Sequence, residues 1–187
     1  MNKLLLKSLM GAGIVLILNS SAFATGPASA YKVRVSKFEL FNGTSWITVF
    51  EGTSDALDIA SVSSGAAAGS FLSGLSVPDG TYTQVRVTPS PTFVISGYDG
   101  VNYTTATAGP GGGSTFGTAA QQAEFTLTLT GGSVPGATPT DFSATPITVK
   151  DGVASNKIRV SFDVSNAVQT QGGELWPAQP TVTMSIQ

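Results

Sequence analysis

The sequence predicts an all-β protein, a single antiparallel β-sandwich of about eight to ten strands joined by long Gly/Ser/Pro-rich loops. Three observations carry this. Short segments alternate apolar and polar residues at period two, the pattern of a strand with one buried face. Turn pairs such as Asn42-Gly43, Asp79-Gly80 and Asp151-Gly152 stand between them. No segment holds a helical period, and no internal repeat marks a solenoid or propeller.

Tyr31 to Val35 (YKVRV) places apolar residues at odd positions, whereas Phe38 and Leu40 continue at even ones, so the spacing predicts a β-bulge near Ser36-Lys37. Asn42-Gly43 then predicts a hairpin with a type I′ turn, returning through SWITVF, Ser45 to Phe50. After a weaker segment at Ala56 to Ile59, the Ala/Gly/Ser-rich run Ser63 to Ser70 reads as a loop or a short helix. Val77-Pro78-Asp79-Gly80 is a turn, since proline presets one φ and glycine takes the left-handed position. It launches the strand Thr81 to Thr88.

Phe93 to Ile95 and Val101 to Tyr103 flank Gly97-Tyr98-Asp99-Gly100 and predict a second hairpin. Gly109 to Gly117 (GPGGGSTFG) reads as a mobile loop. EFTLTLT, Glu124 to Thr130, alternates with Phe125, Leu127 and Leu129 inward. A Gly/Pro-rich loop from Gly131 to Thr145 leads to Ile147 to Val149. Asp151-Gly152 turns the chain into KIRVSFDV, Lys157 to Val164, and PTVTMSI, Pro180 to Ile186, follows last.

Met1 to Ala24 has a basic start, an apolar run and a small-x-small close at Ala22-Phe23-Ala24, which predicts a Sec signal peptide over 1–24 and one domain over 25–187. The uncharged run from Ser8 to Leu18 is shorter than the roughly 20 residues of a membrane span, so no transmembrane anchor is expected. The expected location is secreted, either extracellular or at the cell surface, with the periplasm as the alternative. The chain has nine basic residues; without Lys3 and Lys7, seven remain against eleven acidic ones, a net charge of −4. With no basic cluster to displace counterions, nucleic acid is not an expected partner. No cysteine is present, so packing and strand pairing alone hold the domain.

Absence constrains the chemistry further. There is no His and no Cys, hence no Ser-His-Asp or Cys-His arrangement, no nitrogen or sulfur ligand set for zinc, and no imidazole base. The spacing of Asp55, Asp58 and Glu51 does not place two carboxylates at a glycosidase separation. Asp55, Asp58, Asp79, Asp99 and Asp151 sit at turns without a D-x-D-x-D-G calcium loop. GPGGGS lacks the Lys-Ser/Thr of a phosphate-binding loop. The sequence therefore predicts no enzyme, no catalytic residue, no metal site and no cofactor. Trp176, Tyr98 and Tyr103 are the candidate ligand-binding residues, as aromatics near loops on which a sugar could stack. Trp46 reads as core or cross-strand packing.

VRVSKFELFNGTSWITV, an Ala-Leu-Asp-Ile segment, GLSVPDGTYTQVRV and KIRVSFDVSNAV before a Pro-containing last strand together resemble a family of uncharacterised secreted bacterial and archaeal domains. The resemblance covers Tyr31 to Ile186. It implies a prealbumin-like (transthyretin-like) sandwich, common on envelope proteins, and supplies no established activity and no catalytic residue. A lipidated cysteine found in many members is missing here.

Two functions are expected from these readings. One is a structural or adhesive surface protein whose copies associate by strand addition through Tyr31, Val33 and Val35 or through Val182, Met184 and Ile186. The alternative is a monomeric envelope module that binds carbohydrate or another ligand at Trp176 and Tyr98. The expected partners are copies of the chain itself, other envelope components, or carbohydrate.

Overall fold

A computed structural model describes residues 24–61, 75–130 and 137–187. The strands are β1 (Thr25–Gly26), β2 (Ala28–Val33), β3 (Val35–Phe41), β4 (Trp46–Glu51), β5 (Leu57–Asp58), β6 (Gly80–Tyr82), β7 (Gln84–Pro89), β8 (Thr92–Gly97) and β9 (Tyr103–Ala108). They continue as β10 (Ser114–Gly117), β11 (Phe125–Thr128), β12 (Thr140–Asp141), β13 (Ile147–Lys150), β14 (Val153–Ala154), β15 (Ile158–Asp163), β16 (Val168–Gln171), β17 (Glu174–Pro177) and β18 (Thr181–Ile186). Among the described residues every pairing is antiparallel. The protein is all-β, with several antiparallel sheets in an arrangement consistent with a β-sandwich.

The short sheets are pieces of longer ladders. β2 and β3 run on through Arg34, and β7 and β8 through Ser90-Pro91. They pair from Ala28 opposite Gly97 to Phe41 opposite Gln84. Ser90 N–H to the Arg34 carbonyl, 2.8 Å, bridges the joint. The predicted bulge is here, because the register slips between Val35 and Lys37 against β7. β4 and β5 flank this pair on one side and β11 and β12 on the other. A second long ladder runs from Ile158 opposite Ile186 to Gln171 opposite Glu174, so β15–β16 and β17–β18 form one extended hairpin turning at Gly172-Gly173. β1 joins β16, and β9–β10 joins β17.

Apolar residues from both ladders meet in two cores. Tyr31, Phe93, Ile95, Phe125 and Leu127 pack with Val168 and Leu175 at one end. Leu40, Tyr82, Val85, Ile147 and Val149 pack with Ile158, Met184 and Ile186 at the other. The alternation along EFTLTLT and YKVRV is thus the inside-outside pattern of these ladders.

Several elements differ from the sequence reading. Asn42-Gly43 does not form a type I′ turn. Four residues separate the paired Phe41 and Trp46, and the Asn42 side-chain carbonyl accepts the Thr44 and Ser45 N–H groups at 3.0 and 2.8 Å. Positive φ at both central positions is found instead at Asp151 (53°) and Gly152 (75°), between the paired Lys150 and Val153. The Gly109–Gly117 stretch is not loop throughout: residues 114–117 are β10, and the preceding Gly111 and Gly113 are hydrogen-bonded to Glu174. β16 and β17 fall where no strand was expected. The Ser63–Ser70 segment and the leader up to residue 23 lie outside the described residues.

Candidate functional site

The predicted aromatic platform divides in two. Tyr98 and Tyr103 form a bridge at the base of the β8–β9 hairpin, with rings stacked at 5.0 Å and 20°. The turn between them is built on Asp99, which is buried; its carboxylate accepts the Val101 and Asn102 N–H groups at 2.9 and 2.7 Å and the Thr170 hydroxyl. Burial pushes the Asp99 carboxyl up, but these donors outweigh it and hold it below the usual range. Tyr103 lies opposite Gly117 at one end of β10, whereas Trp176 packs against Gly112 and Gly113 at the other. The three residues therefore do not form one surface.

Trp176 has a different setting. Gly111 and Gly113 donate their backbone N–H groups to the two Glu174 oxygens, each at 2.6 Å, and Glu174 is only 4% exposed. The Gly-rich loop is thus an anion cradle filled by the protein's own carboxylate. Trp176 lies over the cradle, with its indole N–H donating to the Gln171 carbonyl at 3.2 Å. A Cβ on Gly113 would come within 2.6 Å of the indole nitrogen, so only glycine fits there. Ring, carboxylate and loop hold one another, and the indole is fixed before any ligand arrives.

Beside the indole is a groove of about 330 Å³ lined by Ala108, Gly111, Gly112, Trp176 and the consecutive residues Phe125 to Thr130. Residues of both faces of β11 line it, so the groove runs along the strand's backbone edge. Among the described residues β11 is the last strand of its sheet. No lining residue is charged.

The self-association candidates also separate. Tyr31 is 3% exposed, its ring edge-on to Phe93 at 6.2 Å, and burial pushes its hydroxyl up to about 12. β2 has β8 on one side and β5 on the other, which covers Tyr31 and Val33, and Val35 begins β3 between β4 and β7. The expectation that Tyr31, Val33 and Val35 offer a free edge is therefore corrected: both flanks already carry strands. Val182, Met184 and Ile186 differ, because β15 and β18 pair only with each other among the described residues. The inner-face pairs Ile158–Ile186, Val160–Met184 and Phe162–Val182 are apolar, yet none is fully buried and Val182 is 43% exposed.

The acidic turn residues serve the backbone. Asp58 accepts the Tyr31 and Ala60 N–H groups, and Asp79 accepts those of Asp151 and Gly152. Asp163, exposed on β15, accepts the Ser165 N–H at 2.9 Å, which lowers its carboxyl below the usual range. Among the described residues no three acidic side chains converge as metal ligands would. The sequence does not announce the cradle or the β11 groove: the GPGGGS run marks the loop, but nothing local links it to Glu174.

No protein-family model, curated protein or solved structure matches the chain. The likeness to secreted prealbumin-like domains thus rests on the sequence motifs alone.

Proposed function

We propose that the protein is a secreted, non-enzymatic structural protein of the cell surface or extracellular space, with a prealbumin/Ig-like sandwich whose copies associate by strand addition. One observation carries this reading. The β15–β18 ribbon has no third strand on either side among the described residues, and its apolar face is incompletely covered. An open edge presents unpaired N–H and C=O groups that recruit another strand, and added apolar contact strengthens the join. A leader over 1–24 would deliver the chain outside the cell, where the lack of cysteine makes sheet pairing the available means of linkage. Sedimentation velocity over a concentration series, with negative-stain microscopy, tests this. Higher oligomers or fibres are expected, and Val182→Lys should weaken association about tenfold or more, the equivalent of roughly 1.4 kcal/mol. A strictly monomeric wild-type protein at high concentration would exclude the reading.

The groove beside Trp176 favours a second reading, a binding module for neutral carbohydrate. A rigid indole beside the Thr126, Thr128 and Thr130 hydroxyls suits a sugar face and its hydroxyl groups. Glycan-array binding lost in Trp176→Ala would support it, and binding that survives the substitution would exclude Trp176 as the site.

A further inference from the structure

The edges left open among the described residues are not equivalent. β4 ends at Glu51, 4.0 Å from Lys37, and β15 carries Arg159 and Asp163. Charges on an edge oppose strand addition, because pairing would strip their water. β11 (FTLT) and β18 (TVTMSI) carry none. β9 is also uncharged, but its Ala108 forms the far rim of the β11 groove, and Ala123 N–H to the Thr104 carbonyl, 3.0 Å, closes the seam where β9 and β11 approach. Beyond that point the two edges part and the groove opens. It follows Phe125 to Thr130 residue by residue, so the N–H and C=O groups of the backbone run along it beside the threonine hydroxyls. A strand satisfies such a series at every second residue; a sugar ring does not.

Resting on the strand-addition reading, we propose that the β11 edge is the acceptor and β18 of a second copy the donor, joining the copies head to tail. β18 spans six residues, as does the groove wall, and alternates Val182, Met184 and Ile186 against threonine and serine. On β11 and just beyond it the matching apolar residues are Phe125, Leu127 and Leu129, and Trp176 borders the same groove. Donor and acceptor are different surfaces of one chain. Such a heterologous contact does not saturate in a dimer and propagates into a ring or a filament.

The experiment uses two edge-blocked full-length variants, Thr126→Lys in the acceptor and Val182→Lys in the donor, each checked by far-UV circular dichroism. Each alone should stay monomeric at concentrations where the wild type assembles. An equimolar mixture should give 1:1 dimers and nothing larger, because one intact donor meets one intact acceptor. If Thr126→Lys assembles as the wild type does while Val182→Lys does not, the acceptor lies elsewhere and this inference fails, though strand addition by the ribbon survives. If the wild type never assembles, both fail. If Thr126→Lys still assembles but loses retention on a neutral polysaccharide column, the groove is a glycan site and the inference is overturned.

Discussion

Arg86 on β7 grips Glu39 on β3 with two hydrogen bonds, Nε to Oε2 at 2.5 Å and an Nη to Oε1 at 2.9 Å. The same guanidinium lies 4.3 Å from the centre of the Trp46 ring, and Lys37 stands 3.2 Å from Glu39 on the other side. Trp46 in turn packs against Phe41 at 5.2 Å. The outer face of this sheet is thus a compensated cluster across three strands, with Trp46 serving as the cross-strand packing residue that the sequence suggested. Arg86 supplies a planar fork and a stacking surface together, which lysine cannot.

This cluster predicts a pH dependence. The Arg86 hydrogen bonds, with Lys37 assisting, hold the Glu39 carboxyl at about 2, against about 4.3 for an unfolded glutamate. A depressed carboxyl stabilises the fold fully above its unfolded value, and that contribution disappears as pH falls toward the folded one. Urea midpoints should therefore fall between about pH 5 and about pH 2, and Glu39→Gln should flatten that part of the profile. At neutral pH Glu39→Gln should cost about 1.5–3 kcal/mol, toward the lower end because solvent reaches Arg86 and Lys37. An unchanged profile in the variant would mean that other acids govern the acid limb.

The glycine cradle makes a second prediction. Glu174→Gln keeps the volume but replaces one acceptor with a donor facing an N–H group, at a cost of about 1–3 kcal/mol. Hydrogen exchange should speed up at Gly111 and Gly113 before it does in β11. Gly113→Ala should reproduce that local loosening by a different route, since its methyl would meet both Trp176 and Glu174. Protection unaltered in both variants would show that the loop holds its shape without the carboxylate.

How far the sequence could be read depends on where each interaction closes. Period two and turn pairs are local, so the strands at Tyr31, Trp46, Thr81, Glu124 and Lys157 and the bulge near Ser36 are legible. β16 and β17 are not: Gln169, Thr170 and Gln171 are polar, and only the long ladder with Val168 and Leu175 in the core makes them strands. Asn42-Gly43 favours two turns, and the neighbouring Thr44 and Ser45 N–H groups select the Asn-capped one. The groove depends on β9 and β11 parting, and the burial of Tyr31 depends on β5 and β8; neither relation is local. Trp176 was legible as an unusual residue, but its attachment to Gly113 across 63 residues was not.

Asp151 and Gly152 offer a check on the hairpin. Asp151 is the one non-glycine residue with positive φ among the described residues, and its conformation is the left-handed one that Asp tolerates. Asp79 fixes the turn by accepting both its N–H groups at 3.0 and 3.3 Å. Gly152→Ala should destabilise by about 1 kcal/mol because its φ of 75° disfavours a Cβ. Asp79→Asn keeps one of the two acceptors and should cost less, since the turn is exposed and water can take up the N–H group that loses its partner. Thermal melts of both variants would rank the two effects, and the reverse order would place the turn's stability in Asp79 rather than in backbone conformation.

The chain's two tryptophans make the groove observable. Trp46 is half-buried on the outer face of the sheet, so Trp46→Phe leaves Trp176 as the sole indole while keeping an aromatic ring over Arg86. Trp176 borders the groove, and a strand seated against β11 would remove water from its exposed side. Its emission should then move to shorter wavelength as protein concentration rises through the assembly range. The same titration with Thr126→Lys added should show no shift. A shift that persists in that background would come from contacts elsewhere on the indole, and a wild-type-like assembly with constant emission would mean that the groove stays filled with water when copies associate.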